Sequence, residues 1–488
     1  MKSITKKLDL ARYFDDGEIE ETDSTLSRII FFLLCAMSIF AVIAFGAVDP
    51  WAIGILAVFA GTIGVLWLAD SWQKKDFRFN SNALQIPLIA LILIGLVQLL
   101  PLRSFDNSTG LLNIPAVNSL SLEPYETRFF IIQLLIFLVF FAAALTYINN
   151  RSRLRKIALT FVIFGAVMAF IGILQRLASP DAIYGLRPTP QAIPFASFVN
   201  QHHFAAFMNM TIGLTFGLIF GKATKKDKKP LLMIAAFLMI LAIVLTSSRG
   251  GILSFIAILG FFLLPKLLFK KSADETEEVT ENKNFRSKLV LVGGTLTVGI
   301  FLLGTILFLG GDQSLFRGIG LQSPQNDVTN GRSHFWYVAL QIFSDFPILG
   351  AGLNAFGAAF SRYDTWNGTY RIEQAHNDYL QILADAGIIG FFCVISFIYI
   401  LCRKSLSNIN FDGDSFRRSV ATGAFAGCFG ILVHSFFDFP LRTPSNSLFF
   451  LALAAMATIS IAEKVKIPSR SKKKDERLIE AEVSGLLQ

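Results

Sequence analysis

Long apolar runs separated by short polar segments repeat along almost the whole chain. A helix needs roughly 20 mostly apolar residues to cross a bilayer. Twelve runs reach about that length: 28–47, 51–69, 83–102, 129–148, 157–175, 204–220, 231–247, 250–268, 288–309, 386–402, 419–437 and 446–462. Because an even number of crossings returns the chain to its starting side, both termini should share one side. The pattern predicts an all-α, polytopic integral membrane protein with about twelve transmembrane helices.

The composition agrees with this class. Hydrophobic residues make up 53% of the chain and charged residues only 16%, which is typical of a membrane protein. A polar stretch precedes the first apolar run, and no small-residue cleavage site follows that run. We therefore expect the run to remain as an anchor rather than to be removed as a signal peptide. The cysteines lack the paired spacing of a zinc site or a disulfide framework.

The basic residues fix the expected orientation. Lysine-rich clusters fall in alternate segments between the runs, which predicts a cytoplasmic location for those segments and for both termini. The opposite, outer segments contain no lysine and ten arginines: Arg103, Arg128, Arg176, Arg187, Arg249, Arg317, Arg332, Arg362, Arg371 and Arg442. The net charge of +9 thus comes from the cytoplasmic side, and this distribution argues against binding to nucleic acid.

One outer segment is much longer than the others. Residues 310–385, between the ninth and tenth runs, mix Gly, Asn, Asp and aromatic residues and predict a folded periplasmic subdomain. Within it, Phe335, Val338 and Ile342 recur at helical spacing before Pro347, which predicts an amphipathic helix followed by a turn. The expected division of the chain is 1–27 (cytoplasmic), 28–309 (spans one to nine), 310–385 (periplasmic), 386–463 (spans ten to twelve) and 464–488 (cytoplasmic tail).

A helical hairpin with an arginine at its outer tip is predicted over residues 231–268. The stretch is almost wholly apolar except for Thr246-Ser247-Ser248-Arg249-Gly250-Gly251. Arg249 could simply extend its side chain to the membrane interface. Alternatively, the glycines allow close approach of the backbone, and a guanidinium matches the oxygens of a phosphate group. This second interpretation predicts a site for a lipid diphosphate.

His376 opens the segment in which the long outer loop re-enters the membrane as a helix. Its imidazole can accept a proton near neutral pH, although a single histidine is more often a structural hydrogen-bonding group. Asn377 and Asp378 follow it directly. We consider both as residues that contact an acceptor substrate or that hold His376 in place.

These two segments resemble the O-antigen ligase and polysaccharide polymerase family of bacterial envelope glycosyltransferases. The family's Arg-x-x-x-Leu pattern is met by Arg249 to Leu253. Its His-Asn-(nine residues)-Gly-x-x-Gly pattern is met by His376, Asn377, Gly387 and Gly390. Twelve spans, cytoplasmic termini and a large loop after the ninth span are also similar to the family's architecture.

The resemblance implies specific roles. Arginines would hold undecaprenyl diphosphate and a histidine would assist the acceptor hydroxyl, without a metal ion or other cofactor; here these roles fall to Arg249 and His376. Arg332 is a second candidate for the diphosphate, with a solvated charge at a helix start as the alternative. Arg187 is a third, although it lies farther upstream than the family pattern places it.

Two further groups of polar residues are candidates for the acceptor site. Asn200 and His202 lie in a segment that resembles the family's Gly-Thr-Phe-x-Asn-x-Asn pattern, with His202 in place of the second Asn. His434, Asp438 and Arg442 follow one another at the outer end of the eleventh run. Polar groups are costly inside a membrane unless they serve a purpose, but a polar helix cap would also explain the second group.

The sequence therefore predicts a glycosyltransferase of the bacterial inner membrane with a periplasmic active site. It would transfer a glycan from undecaprenyl diphosphate to a sugar hydroxyl on lipid A-core. A polymerase, with a second lipid-linked repeat as acceptor, and a protein O-oligosaccharyltransferase use the same machinery and stay open. The alternative from another class is a transporter of the lipid-linked glycan, which would need charged residues along a path through the spans.

Overall fold

The computed structural model describes residues 24–103, 118–178, 182–190, 192–221, 224, 226–268, 331–365, 372–410 and 414–459. The helices in these ranges are α1 Thr25–Ile43, α2 Pro50–Lys74, α3 Gln85–Gln98, α4 Pro124–Tyr147, α5 Arg151–Ala178, α6 Gln201–Phe220, α7 Lys229–Leu245, α8 Arg249–Leu268, α9 Arg332–Asp345, α10 Phe356–Tyr363, α11 Asp378–Asn410, α12 Ser415–His434 and α13 Pro444–Thr458. Two short antiparallel strands, β1 Ala182–Ile183 and β2 Arg187–Pro188, join α5 to α6.

The predicted apolar runs in the described part of the chain all lie on helices. Seven helices are long and apolar enough to cross a membrane, and α3, α13 and residues 249–263 of α8 form shorter apolar helices. The prediction of an all-α, multi-pass membrane protein is confirmed at this level. The predicted span 288–309, the loop residues 310–330 and the tail 464–488 lie outside the described residues, as do residues 1–23 of the predicted N-terminal segment.

The helices run between two ends of the bundle. At one end, the Tyr147 hydroxyl donates to Asp70 at 3.1 Å. At the other end, Thr443 and His203 share a hydrogen bond of 2.7 Å. We call this second end the site end, because the starts of α6, α8 and α11 and the end of α12 meet there.

Helix α6 occupies the centre of the bundle and packs most closely against α12. A Cβ atom on Gly213 or Gly217 would collide with the backbone of Gly427 or Gly423, respectively. Small residues at these positions allow two membrane helices to approach backbone to backbone. This close packing fixes the start of α6 beside the end of α12, where the polar residues of the site lie.

The described part of the long outer segment builds a small core of its own, next to the helical bundle. Phe335, Val338, Ala339 and Ile342 on α9 are buried against apolar residues of α10. The amphipathic helix predicted from their spacing is thus confirmed.

A turn after α9 docks onto a kink in α11. Helix α11 begins at Asp378, eight residues before the predicted span, and is interrupted at Gly387, where φ is +62°. The amide of Ile388 donates to the Pro347 carbonyl at 2.8 Å, and a Cβ on residue 387 would collide with the backbone of Ile348. The first glycine of the His-Asn…Gly-x-x-Gly pattern therefore permits a close approach of two backbone segments.

Candidate catalytic site

His376 and Asp438 form a hydrogen-bonded pair at the site end. The Nδ1 atom of His376 lies 3.0 Å from Oδ1 of Asp438. The histidine side chain is 29% exposed, whereas the aspartate side chain is 1% exposed. Because Nδ1 is engaged with the carboxylate, Nε2 is the ring nitrogen left to face a substrate. This is the arrangement in which a carboxylate orients a catalytic imidazole and stabilises its protonated form.

The backbone holds His376 in an unusual conformation. Its φ is +51°, in the left-handed region that residues other than glycine rarely adopt. The ring stacks near Phe335 and meets the edge of Phe439, with centroids 5.8 and 4.8 Å away. Strained residues of this kind persist only where the surroundings fix them, and they cluster at functional sites.

Asp438 lies among histidine side chains and near Arg332. Burial alone would raise the pKa of its carboxyl group, but the hydrogen bond from His376 and the nearby histidines hold that pKa below its usual range. Its second oxygen, Oδ2, lies 3.9 Å from Nη2 of Arg332 and has no hydrogen-bond partner among the described residues. Arg332 thus reaches the same carboxylate that orients His376.

Arg249 stands at the tip of the predicted hairpin, as the first residue of α8. A Cβ on the following Gly250 would lie 3.0 Å from the His434 ring, so a larger residue would crowd that histidine. The Asp438 amide donates to the His434 carbonyl at 3.1 Å, and Arg332 lies beside Asp438, so Arg249 and Arg332 approach the same end of α12. Two guanidinium groups brought together in this way favour the binding of an anion between them.

Other predicted residues join this cluster. Asn200 caps α6 by accepting from the His202 amide at 2.8 Å, and the Nδ1 atom of His202 lies 2.9 Å from Ser248 Oγ on the hairpin turn. His434 is 1% exposed, and its Nδ1 has no hydrogen-bond partner among the described residues. The structure therefore brings the predicted His202 and His434 close to Arg249.

Sequence reasoning missed His203 as a member of the site. Its ring meets the edge of Phe439 at a centroid distance of 4.7 Å, on the same aromatic ring that contacts His376. The signal available in the sequence was its position next to His202 at the start of a helix.

Arg442 lies in a second polar group of the site end. It pairs with Asp385 on α11, and its Nη1 donates to Asn354 Oδ1 at 3.1 Å. The guanidinium also lies over the Phe130 ring, 4.7 Å from the centroid. Neither Asp385 nor Asn354 could be identified as its partner from the sequence, because they lie 57 and 88 residues away.

Asn377 and Asp378 make hydrogen bonds that hold the start of α11. Asp378 accepts from the Ser435 hydroxyl at 2.7 Å. Asn377 accepts from the amides of Tyr379 and Leu380 at 3.0 and 3.1 Å, and its Nδ2 donates to the Phe436 carbonyl at 3.1 Å. These contacts attach the segment beside His376 to the end of α12.

We expect Asn377→Ala to lower the free energy of unfolding by about 2 kcal/mol, since it removes a helix cap and a further buried hydrogen bond. Asn377→Ser should recover about half of the loss, because serine can cap the helix but cannot donate to Phe436 in the same way. Denaturant titration in detergent micelles measures both. Equal stability of the two variants would show that the cap contributes nothing.

Arg187 makes its contacts elsewhere. Its two terminal nitrogens lie 2.6 and 3.0 Å from the carboxylate oxygens of Asp49, and its guanidinium lies over the Phe45 ring. The predicted role of Arg187 in diphosphate binding therefore stays a prediction. In the described ranges, no group of three or more His, Cys, Asp or Glu residues is arranged to hold a metal ion.

Residues 234–395 match a protein family described as O-antigen ligase. The matched range includes the hairpin with Arg249, helix α9 with Arg332, and His376. The resemblance inferred from the motifs is thereby confirmed. No curated protein matches the chain.

Proposed function

Since the chain carries an O-antigen ligase domain over residues 234–395, we propose that it transfers a glycan from undecaprenyl diphosphate to a sugar hydroxyl of lipid A-core. The transfer takes place at the periplasmic face of the inner membrane, with both termini in the cytoplasm. The observation that carries the proposal is the His376–Asp438 pair, whose carboxylate also lies within reach of Arg332. The proposed general base and a cationic side chain thus both lie beside the Asp438 carboxylate.

The reaction requires one bond to form as another breaks. The acceptor oxygen bonds to the anomeric carbon of the donor glycan while the bond from that carbon to the diphosphate oxygen breaks. His376 takes the hydroxyl proton on Nε2, and the Asp438 carboxylate stabilises the resulting imidazolium. The electron pair of the broken bond leaves with undecaprenyl diphosphate, and the proton is later released from His376.

The arginines act on the leaving group. Negative charge grows on the diphosphate as the glycosidic bond breaks, so guanidinium groups aimed at it stabilise the transition state more than the ground state. Arg249 precedes Gly250, which packs against His434, and Arg332 lies beside Asp438, so both arginines reach the same end of α12 and we assign them to one diphosphate. Their forked donors also suit the geometry of phosphate oxygens better than the ammonium of lysine does.

A polymerase would use the same residues with a second lipid-linked repeat as acceptor, and a protein O-oligosaccharyltransferase would use a Ser or Thr hydroxyl. The transporter alternative is disfavoured by the positions of buried charges. Asp70 pairs with Lys74 at one end of the bundle, and Arg442 pairs with Asp385 at the other. Among the residues that the structure describes, these buried charges are grouped at opposite ends of the bundle and do not form a path through the membrane.

The proposal is tested with purified protein in liposomes that contain undecaprenyl-diphosphate-linked glycan and lipid A-core. We expect glycan to appear on lipid A-core, and its absence with folded protein would refute a ligase. Glycans from a deletion strain separate the two versions. Uncapped lipid A-core identifies a ligase, whereas lipid-linked single repeats identify a polymerase.

We expect transfer to continue unchanged in the presence of EDTA. The physical reason is that Arg249 and Arg332 neutralise the diphosphate, which a divalent ion would otherwise do. Initial rates are compared in liposomes dialysed against EDTA and in liposomes resupplied with Mg²⁺. A loss of more than about tenfold on chelation, reversed by Mg²⁺, would show that the arginines do not suffice.

A further inference from the structure

A polar cavity of about 300 Å³ opens at the site end, and residues close in sequence to His376 and Asp438 contribute to its lining. Its polar lining comes from Glu126 and Gln133 on α4, Asn354 before α10, Gln374 before His376, and Arg442. The volume is at the lower end of the roughly 300–1,000 Å³ range of small-molecule sites. No function has been given to this cavity above, and we call it the amide cavity.

The described charged groups around the amide cavity are two carboxylates and one guanidinium, which do not favour an anion. Glu126 accepts from Asn354 Nδ2 at 2.8 Å, and Asn354 in turn accepts from Arg442 at 3.1 Å. The Arg442 guanidinium is already paired with Asp385. A diphosphate would therefore meet an acidic side chain here and a guanidinium that already has a carboxylate partner.

The lining instead suits an uncharged ring that carries hydroxyl groups. The Oε1 atom of Gln374 is buried and has no hydrogen-bond partner among the described residues, and such an atom costs about 1–3 kcal/mol when it stays unpaired. When the Gln374 side chain turns toward the cavity, a sugar hydroxyl can donate to this oxygen. Tyr125, Phe129 and Phe130 supply aromatic surface to the same cavity. Mixed aromatic and amide linings of this kind are typical of small-molecule sites.

The amide cavity and the catalytic pair are built on the same two chain segments. Gln374 precedes His376 by two residues, and Arg442 follows Asp438 by four. From these positions we infer that the amide cavity binds a neutral, hydroxyl-rich sugar ring of the acceptor. The diphosphate of the donor binds separately, at the arginines. The inference rests on the proposed transferase function, because it places the acceptor next to the proposed base.

Two substitutions test the inference in the liposome assay with lipid A-core as the acceptor. Val48→Trp places a large ring at the cavity wall without removing a polar group, and Gln133→Leu removes one amide. Each variant should raise the KM for lipid A-core about tenfold, which is the effect of losing one hydrogen bond or a packing contact of similar free energy. The KM for the lipid-linked donor and the rate of donor hydrolysis by water should not change.

Val58→Trp is the matched control, because Val58 lies on the same helix as the cavity wall at Pro50 but is 69% exposed on the outside of the bundle. If both cavity variants keep the acceptor KM of this control while the native protein transfers glycan, the amide cavity does not bind the acceptor sugar and the proposed function stands. If the native protein transfers no glycan, the proposed function fails, and the inference that rests on it fails as well.

Discussion

Replacement of His376 by alanine is expected to reduce glycan transfer by roughly 10²–10⁴-fold, the usual contribution of a general base. The loss should appear in kcat, whereas the KM for the lipid-linked donor should change little, because we propose that Arg249 and Arg332, not His376, bind the diphosphate. Initial rates in liposomes that hold donor and lipid A-core measure both constants. Undiminished transfer by a folded variant would refute the role of His376 as the base.

A matched control for this variant exists in the same outer segment. His334 also pairs with a carboxylate, at 3.0 Å from the partly buried Asp364, but its neighbours Phe335 and Phe360 belong to the small core around α9 and α10. His334→Ala should therefore keep transfer within about twofold of the native rate. An equal loss in the two variants would mean that the assay reports damage to the outer segment rather than removal of the base.

The residues that the sequence predicted well are those whose signals are local. The apolar runs predict the positions of the helices. The 3.6-residue spacing of Phe335, Val338 and Ile342 predicts α9, because an amphipathic helix packs its apolar face against the rest of the protein. Arg249 at a hairpin tip also follows from local features. It is a polar, glycine-bearing interruption in an apolar stretch, and only a turn accommodates such an interruption.

The contacts that define the site depend on residues far apart in the chain. His376 and Asp438 are separated by 62 residues, and no periodicity links them. The sequence identified both as polar groups near helix ends but could not show that the first is oriented by the second. Asp385 was missed altogether as the partner of Arg442, because an acid at the end of a predicted loop has many possible partners and only tertiary packing selects one.

The pattern Gly387-x-x-Gly390 shows how a motif can be recognised before its physical purpose is known. Its first glycine adopts a positive φ and lies against the backbone of Ile348, so it fixes the turn after α9 against α11. Since His376 lies on the segment that leads into α11, this contact also stabilises the position of the proposed base. Gly387 therefore has a structural role: it allows the backbone packing that positions the segment with His376.

The second large effect concerns the arginine at the hairpin tip. Arg249→Lys keeps the positive charge but loses the forked pair of donors, and hydrogen bonds to charged groups each contribute about 1.5–3 kcal/mol. The Kd for the undecaprenyl-diphosphate-linked donor should therefore rise roughly 10- to 100-fold. Arg362→Lys is the control, because Arg362 is an exposed arginine on α10 that lies over the Tyr363 ring. Unchanged donor affinity in Arg249→Lys would show that the Arg249 side chain only extends to the membrane interface. A loss of donor affinity in Arg249→Lys but not in Arg362→Lys would show that the diphosphate is recognised by the geometry of the guanidinium and not by positive charge alone.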